Sequence, residues 1–148
     1  MEKDFEKALA DIQQAIKLTP DAPEPYNQQA LIHAALGQYE EALVDLEQYE
    51  ELLGDELPPG ILDTRGFVYL KMGDFEKARK DYEAILNKDW RSPYPLLGAG
   101  LVYVHEGELE KGKALIAEAL EKFDKDSLDN PTPQLSDLLE MKKDLLDE

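Results

Sequence analysis

Few side chains in the sequence have the types and spacing that catalysis requires. The chain contains two histidines, His33 and His105, and no cysteine. The histidines form no His-x3-His pair, and the sequence has neither a nucleophile motif nor a glycine-rich phosphate loop. Carboxylates are abundant, but abundance on a solvated helix face does not create the raised pKa of an acid–base pair. We therefore predict that the protein is not an enzyme.

One segment resembles the opening of a calcium-binding loop, Asp124-Lys125-Asp126-Ser127-Leu128-Asp129. The resemblance fails at the positions that hold the ion. The fifth position is Leu128, the sixth is Asp129 instead of glycine, and the twelfth is Leu135 instead of glutamate. Because the chain also lacks cysteine for thiolate ligands, we expect neither a metal site nor a cofactor.

The charge of the chain argues against several classes of partner. Sixteen basic residues against 33 acidic ones give a net charge of −17, which repels nucleic-acid phosphates and anionic lipid headgroups. Eleven of the acids lie between Leu18 and Thr64, a stretch without lysine or arginine. Two interpretations of this acidic stretch stay open, a solubilising helix face and a docking surface for a basic partner.

Internal repeats determine the predicted fold. The cluster from Gly37 to Ala42 returns at 73–78 and at 107–112, with a truncated copy at 4–8. Each copy is followed four residues later by a bulky residue: Ile12, Leu46, Tyr82 and Ile116. Because apolar residues recur at helical spacing on both sides of each glycine, each unit is predicted to be a helical hairpin.

Proline and glycine predict where the helices begin and end. Prolines begin the first helix of each unit, where a missing N–H costs nothing, and a glycine at each bend ends a helix with a positive φ. A small residue on the second helix, at Ala8, Ala42, Ala78 and Gly112, lets the paired helices approach closely. The predicted helices are 3–18, 24–36, 39–53, 60–72, 75–88, 94–106, 109–123 and about 133–146.

These repeats resemble the tetratricopeptide repeat (TPR) family, whose units of about 34 residues are helix pairs. The family's G-x2-Y is matched at Gly66-x2-Tyr69 and Gly100-x2-Tyr103. The small-x3-bulky pairs match its A-x3-F, and Pro20 matches its closing proline. The resemblance implies an all-α fold, a right-handed superhelical array of antiparallel helix pairs with about three and a half repeats and a C-terminal capping helix.

The resemblance covers about residues 4–124 and divides the chain into consecutive units. The predicted units are the second helix of a truncated first repeat at 1–22, three repeats at 23–58, 59–92 and 93–126, and a turn with the capping helix at 127–148. Because the first unit lacks its first helix, either the segment is cut from a longer array or a lone helix serves as a cap. Whether the last helix caps the array or blocks its groove stays open.

Two repeats depart from the family pattern in their first helix. Gln29 and Arg65 replace the leucine that precedes the small residue. We expect these two side chains to be a buried polar pair rather than to point into a cleft, because buried charges need partners. His33 replaces a packing tyrosine, and we expect it to be a core histidine with its hydrogen bonds satisfied.

The first helix of each unit carries a second apolar stripe beyond the one that packs the hairpin. In the TPR family these positions line the concave groove, where an extended peptide or a partner helix lies. The resemblance implies a partner-binding groove with polar edges, formed by Asn27, Leu31, Ala34, Asp63, Phe67, Leu70, Lys71, Tyr94, Leu97, Leu101, Val104 and His105. The alternative is that superhelix curvature and the C-terminal helix bury this stripe.

The predicted function is a noncatalytic protein–protein interaction scaffold or adaptor that binds a peptide or helix of a partner protein. We expect a partner with apolar anchors and basic flanks that face the acidic stretch. The carboxylate clamp of chaperone-binding relatives is not expected, because Asp63 and Phe67 stand where that clamp needs cations. The alternatives are homo-oligomerisation and a structural spacer module of a larger protein. Since no segment resembles a signal peptide or a membrane span, we expect a cytoplasmic protein.

Overall fold

Helical periodicity, proline and glycine place the helices where the sequence predicts them. The computed structural model describes residues 2–148, so that Met1 of the predicted unit 1–22 lies outside the described part. The described residues form α1 (Glu2–Leu18), α2 (Glu24–Ala35), α3 (Tyr39–Leu53), α4 (Pro59–Met72), α5 (Phe75–Leu86), α6 (Pro93–His105), α7 (Leu109–Lys122), α8 (Lys125–Asp129) and α9 (Pro133–Leu145). Every predicted helix is present to within two residues at each end, whereas the short α8 was not predicted.

The helices form a right-handed superhelical array of antiparallel pairs. The hairpins are α2/α3, α4/α5 and α6/α7, and each stacks on the next through α3 on α4 and α5 on α6. α1 packs on α2 in the same way. The first helices of the hairpins, α2, α4 and α6, are also neighbours of one another and together form the concave wall. No strand occurs in residues 2–148, and no helix there combines the length and apolarity needed to cross a membrane.

The bends of the hairpins have the backbone conformation that their glycines predict. Gly37, Gly73 and Gly107 follow the first helices with φ of 77°, 83° and 90°, values that side chains disfavour. The longer turn after α3 begins with Gly54 at φ 68°. At Gly37, Gly73 and Gly107 the chain reverses within two or three residues, which keeps the paired helices antiparallel.

Small residues bring the two helices of each hairpin together, as the sequence predicts. Ala42 and Ala78 are fully buried. In the last hairpin the approach is closest, since a Cβ added to Gly112 would lie 2.6 Å from the carbonyl oxygen of Gly100. Ala8, at the equivalent position of α1, is only half-buried, because no helix among residues 2–148 packs on that side of α1 as a hairpin partner.

Tyr82 on α5 connects two neighbouring hairpins. Its side chain is 1% exposed, and its ring lies against Gly66 of α4 and Gly98 of α6. A Cβ added to Gly66 would lie 3.0 Å from the ring, and one added to Gly98 would lie 2.5 Å from the hydroxyl oxygen. The ring therefore occupies the space that these two glycines leave, and it sets the distance between α4 and α6.

The polar residues that depart from the family pattern have the expected structural role, but each pairs with a carboxylate of its own hairpin and not with the other. Arg65 donates two hydrogen bonds to Asp81, from Nε at 2.9 Å and from Nη2 at 2.8 Å. Gln29 Nε2 donates to Asp45 Oδ1 at 2.6 Å, and His33 Nδ1 lies 2.5 Å from Asp45 Oδ2. Burial raises the pKa of Asp45, while the hydrogen bonds from Gln29 and His33 lower it.

Candidate partner-binding groove

The concave wall of α2, α4 and α6 is partly covered by the last helix of the chain. α9 packs against α6 and α2, and its side chains Leu135 and Leu138 are fully buried. The amphipathic pattern of α9 requires an apolar surface of this kind. α9 therefore caps the array on its inner wall and blocks part of the groove.

Three polar contacts hold α9 on the wall. Gln134 Nε2 donates to Asp63 Oδ2 of α4 at 3.3 Å, and Lys71 Nζ, also on α4, pairs with Asp137 Oδ2 at 3.2 Å. At the start of α9 the hydroxyl of Thr132 lies 2.9 Å from that of Tyr94 on α6. Each of these contacts joins α9 to a residue that the sequence places in the groove.

The groove residues predicted from the sequence divide into buried and accessible ones. The buried side chains are Ala34, Asp63, Phe67, Leu70, Leu97 and Leu101. At these positions the stripe is buried, which is the alternative that the sequence left open. Those that keep more exposure are Asn27, Leu31, Lys71, Tyr94, Val104 and His105. His105 is exposed and stacks on Phe75 with ring centroids 3.5 Å apart, at the end of α6.

An apolar pocket remains open at the N-terminal end of the wall. Its volume is about 300 Å³, near the lower end of the range for small-ligand pockets, about 300–1,000 Å³. It is lined by Phe5, Leu31, Ile32, Ala35, Phe67, Tyr94, Thr132, Pro133, Gln134 and Asp137. The pocket brings three predicted residues together with residues of α1 and α9 that the sequence reasoning did not assign to the groove. For Phe5, the signal in the sequence that could have identified it is its place at the aromatic position repeated in each unit.

Asp63 is a buried carboxylate with an incomplete set of hydrogen bonds. It is 8% exposed, and within residues 2–148 its Oδ1 has no hydrogen-bond partner. Burial raises the pKa of Asp63 to about 7, although the hydrogen bond from Gln134 lowers it. The phenol of Tyr82 faces the same region, and the charge of Asp63 contributes to raising the pKa of Tyr82. The equivalent residue on α2, Asn27, also has a buried Oδ1 that no group in the described chain bonds.

The acidic stretch lies mostly on the surface. Nine of its eleven acids are exposed, and the exceptions are Asp45 and Asp63. On α3 the exposed acids flank Val44, which is 61% exposed. The stretch thus forms an acidic outer face and also includes two buried carboxylates, Asp45 and Asp63, which accept hydrogen bonds from neighbouring side chains.

The two histidines lie in different hairpins of the array. His33 contacts Asp45 in the second unit, whereas His105 stacks on Phe75 two hairpins away, so the structure does not bring them together. Among residues 2–148, no three His, Asp or Glu side chains are placed to hold a metal ion. The wall offers an apolar surface with a few polar contacts, which is typical of a binding site.

Comparison with known proteins places the repeats in one sequence family. The profile of the tetratricopeptide repeat family matches residues 1–56, and a second profile of that family matches residues 59–89. Human tetratricopeptide repeat protein 13 is 31% identical over 120 residues. The match covers 81% of this chain but 14% of the human protein, so the chain spans a small part of that relative.

Solved structures share the architecture. MamA from Desulfovibrio magneticus RS-1 has a TM-score of 0.65 and 20% identity, over 95% of this chain and 86% of the MamA chain. YrrB, a TPR protein with an unusual peptide-binding site, has a TM-score of 0.61 and 17% identity, over 97% of this chain and 78% of its own. At these identities the similarity concerns the fold alone.

Proposed function

We propose, on the premise that this chain belongs to the tetratricopeptide repeat family, that its concave wall binds an amphipathic helix or peptide of a partner protein. The TPR fold supports a protein–protein interaction scaffold, and modules of this family are typically noncatalytic. The observation that carries the proposal is the open apolar pocket formed by Leu31, Phe67 and Tyr94 on the wall, beside the first turn of α9. An apolar side chain of a partner fits such a pocket as an anchor.

The way in which α9 binds the wall supports a helical ligand. Its buried leucines, Leu135 and Leu138, are three residues apart and so lie on one face of the helix. Recognition of a helix in a groove uses anchors at this spacing. YrrB, which shares the fold, has a peptide-binding site, and this likeness favours a peptide ligand for the present chain as well.

The charge of the scaffold favours a ligand with basic flanks. The chain has a net charge of −17, and most of the exposed acids of the acidic stretch lie on α3, the helix that pairs with α2. Acidic surfaces attract basic ligands and accelerate their association, an effect that salt screens. We therefore propose apolar anchors flanked by lysine or arginine.

A synthetic peptide tests the proposal. The probe, the basic peptide, has the sequence of residues 131–146 with Glu140→Lys and Asp144→Lys, and it carries a fluorescent label. A control peptide has serine in place of Leu135 and Leu138. We expect fluorescence anisotropy to report binding of the basic peptide to the full chain, and at least about tenfold weaker binding of the control, equivalent to about 1.4 kcal/mol.

Substitutions in the chain locate the binding site. Leu31→Glu places a charge in the pocket and should weaken binding of the basic peptide at least about tenfold. Val44→Glu changes a side chain that is 61% exposed on α3 and should leave binding unchanged. Equal binding by both variants, with circular dichroism confirming their fold, would exclude the pocket. Equal binding of the basic peptide and the control peptide that lacks the two leucines would exclude apolar anchoring.

Self-association is a second candidate function, favoured by the uncovered side of α1. Ala8, Ile12 and Ala15 are half-buried, whereas their equivalents in the next hairpin are at most 3% exposed: Ala42, Leu46 and Tyr49. A helix from a second copy would complete this side as a hairpin partner does. Light scattering across a concentration range measures this directly. A strict monomer excludes the candidate, and a dimer that Ile12→Glu dissociates supports it.

A further inference from the structure

We infer that α9 is an internal occupant of the groove, and that a basic amphipathic helix of a partner protein displaces it by placing a lysine or arginine where Gln134 now faces Asp63. The inference rests on the proposed function, because the site is the same concave wall. It adds the identity of the group that selects the partner and a mechanism by which the chain regulates its own groove.

The first step of the argument is that α9 lies on the wall as a ligand does. It contacts α6 and α2, and its polar bonds reach Asp63 and Lys71 on α4. The three hairpins are held together by their own contacts, which α9 does not share. Detaching α9 therefore exposes the wall without opening any hairpin.

The second step is that the fit between α9 and the wall is incomplete at Asp63. A buried carboxylate normally accepts several hydrogen bonds or pairs with a cation. Here the neutral amide of Gln134 donates one bond at 3.3 Å, which is beyond the usual N–H···O range of about 2.7–3.2 Å. In the described part of the chain, the other carboxylate oxygen is buried and accepts none. Both cations on the same helix pair with other carboxylates, Arg65 with Asp81 and Lys71 with Asp137.

The third step is that a cation at the place of Gln134 would correct this defect. A lysine or arginine donates charge-assisted hydrogen bonds, which are about twice as strong as neutral ones. A partner helix with leucines spaced like those of α9 and such a cation would match the wall better than α9 does. This specificity also agrees with the acidic charge of the scaffold, which favours basic partners.

The fourth step is that the partner has a place to begin. Thr132, Pro133 and Gln134, at the start of α9, line the open pocket together with Leu31 and Phe67. An apolar anchor that enters this pocket contacts both the wall and the first turn of α9. Displacement can therefore proceed from the pocket along the groove, and α9 remains tethered through α8.

Thiol labelling in the full chain tests the displacement. The chain has no cysteine, so Leu138→Cys introduces a single thiol beneath α9, at a side chain that is fully buried. Ala99→Cys, at a 2% exposed position of α6, is the matched control for general unfolding. The probes are the basic peptide and a lysine peptide that has the additional change Gln134→Lys. We expect the lysine peptide to accelerate labelling of the Leu138→Cys chain at least about tenfold and to leave the Ala99→Cys chain unchanged.

Substitutions of Asp63 and Gln134 test the selecting group. The lysine peptide should bind the wild-type chain at least about tenfold more tightly than the basic peptide does, and Asp63→Asn should abolish this preference. In the chain itself, Gln134→Lys should hold α9 more firmly and weaken binding of both peptides. Ser136→Lys adds the same charge at an exposed position of α9 and should not.

The outcomes separate this inference from the proposed function. If peptides bind through their leucines but labelling under α9 does not accelerate, displacement is overturned and the proposed function stands. If Asp63→Asn keeps the preference for lysine, the selecting role of Asp63 is overturned. If neither peptide binds, both proposals fail. Because Leu138→Cys alters an anchor, hydrogen exchange in the unaltered chain is measured in parallel. We expect the lysine peptide to accelerate exchange only in residues 133–145. An exchange rate that changes equally along the whole chain would overturn displacement.

Discussion

Replacement of Gly98 by alanine tests whether Tyr82 sets the spacing of neighbouring hairpins. A methyl group on Gly98 would lie 2.5 Å from the Tyr82 hydroxyl oxygen and 2.7 Å from Cε1, in steric conflict with the ring. The ring has little room to move aside, because its other side lies against Gly66 and its side chain is 1% exposed. Either the ring or α6 must therefore shift.

The magnitude follows from two opposing effects. Overpacking a well-packed core costs about 1–3 kcal/mol, and contacts this short favour the upper end. Exchanging glycine for alanine inside a helix contributes about 1 kcal/mol in the other direction. We therefore expect Gly98→Ala to lower the free energy of unfolding by about 2 kcal/mol, which corresponds to a fall in Tm of about 4–8 °C for a chain of this size.

Gly60 provides a matched control on α4. It is exposed, and a Cβ added there meets no atom within 4 Å. Gly60→Ala should therefore stabilise the chain by about 0.5–1 kcal/mol through helix propensity alone. Urea denaturation followed by circular dichroism measures both variants. If Gly98→Ala is as stable as Gly60→Ala, the ring does not act as a spacer and the reasoning is refuted.

Three further predictions concern buried groups and use the same denaturation assay. Arg65→Met leaves Asp81, which is 4% exposed, without its two charged donors, and the free energy of unfolding should fall by about 3–5 kcal/mol. Arg91→Met breaks an exposed ion pair and should lower it by less than about 1 kcal/mol. Equal losses in the two variants would contradict the argument that the buried pair matters more. Because burial raises the pKa of Asp63 to about 7 from 3.8, the folded chain retains a proton that the unfolded chain loses, and stability should fall between about pH 4 and 7. Asp63→Asn should remove the decrease in stability that this group causes. An unchanged dependence of stability on pH in the variant would contradict the assignment to Asp63. Ala42→Leu should cost about 1–3 kcal/mol, whereas the same change at the equivalent, half-buried position of α1 should cost less than about 0.5 kcal/mol, so similar losses would show that the two sites are equally packed.

The helices and their order follow from the sequence because their signals are local. Apolar periodicity, a proline at the first turn and a glycine at the bend each act within a few residues. Gly37 and Gly73 illustrate this, since each takes the positive φ that its position predicts. α8 was missed although it also has a local signal: the side chain of Asp124 accepts a hydrogen bond from the Ser127 amide and caps its first turn.

The partners of the polar core residues were predictable in part. The expected structural role of Gln29 and Arg65 is confirmed, but these residues do not pair with each other. Asp45 and Asp81 each lie sixteen residues further along, in equivalent positions of their hairpins. A repeated separation between a polar residue and a carboxylate is therefore a usable signal in a repeat protein.

The position of α9 was not predictable, because no local pattern distinguishes the surfaces on which it could pack. Leu135 and Leu138 require an apolar surface, but both the end of the last hairpin and the concave wall provide one. The contacts that decide between them join distant parts of the chain, such as Gln134 with Asp63. Such contacts have no periodic signature, and the accessible fraction of the groove depends on them.

Burial of the groove by α9 changes the measured affinity of a ligand without changing the chemistry of the wall. The leucine anchors of α9 are fully buried against the wall, and an external helix would need the same surface. When a binding-competent state is populated only in part, the apparent Kd rises by the inverse of that fraction. A change that loosens α9 should therefore tighten partner binding even if it touches no ligand, and one that anchors α9, such as Gln134→Lys, should weaken it. If affinity rises when α9 is loosened and falls when it is anchored, α9 and the partner helix compete for one wall. If affinity does not respond, α9 closes the groove permanently.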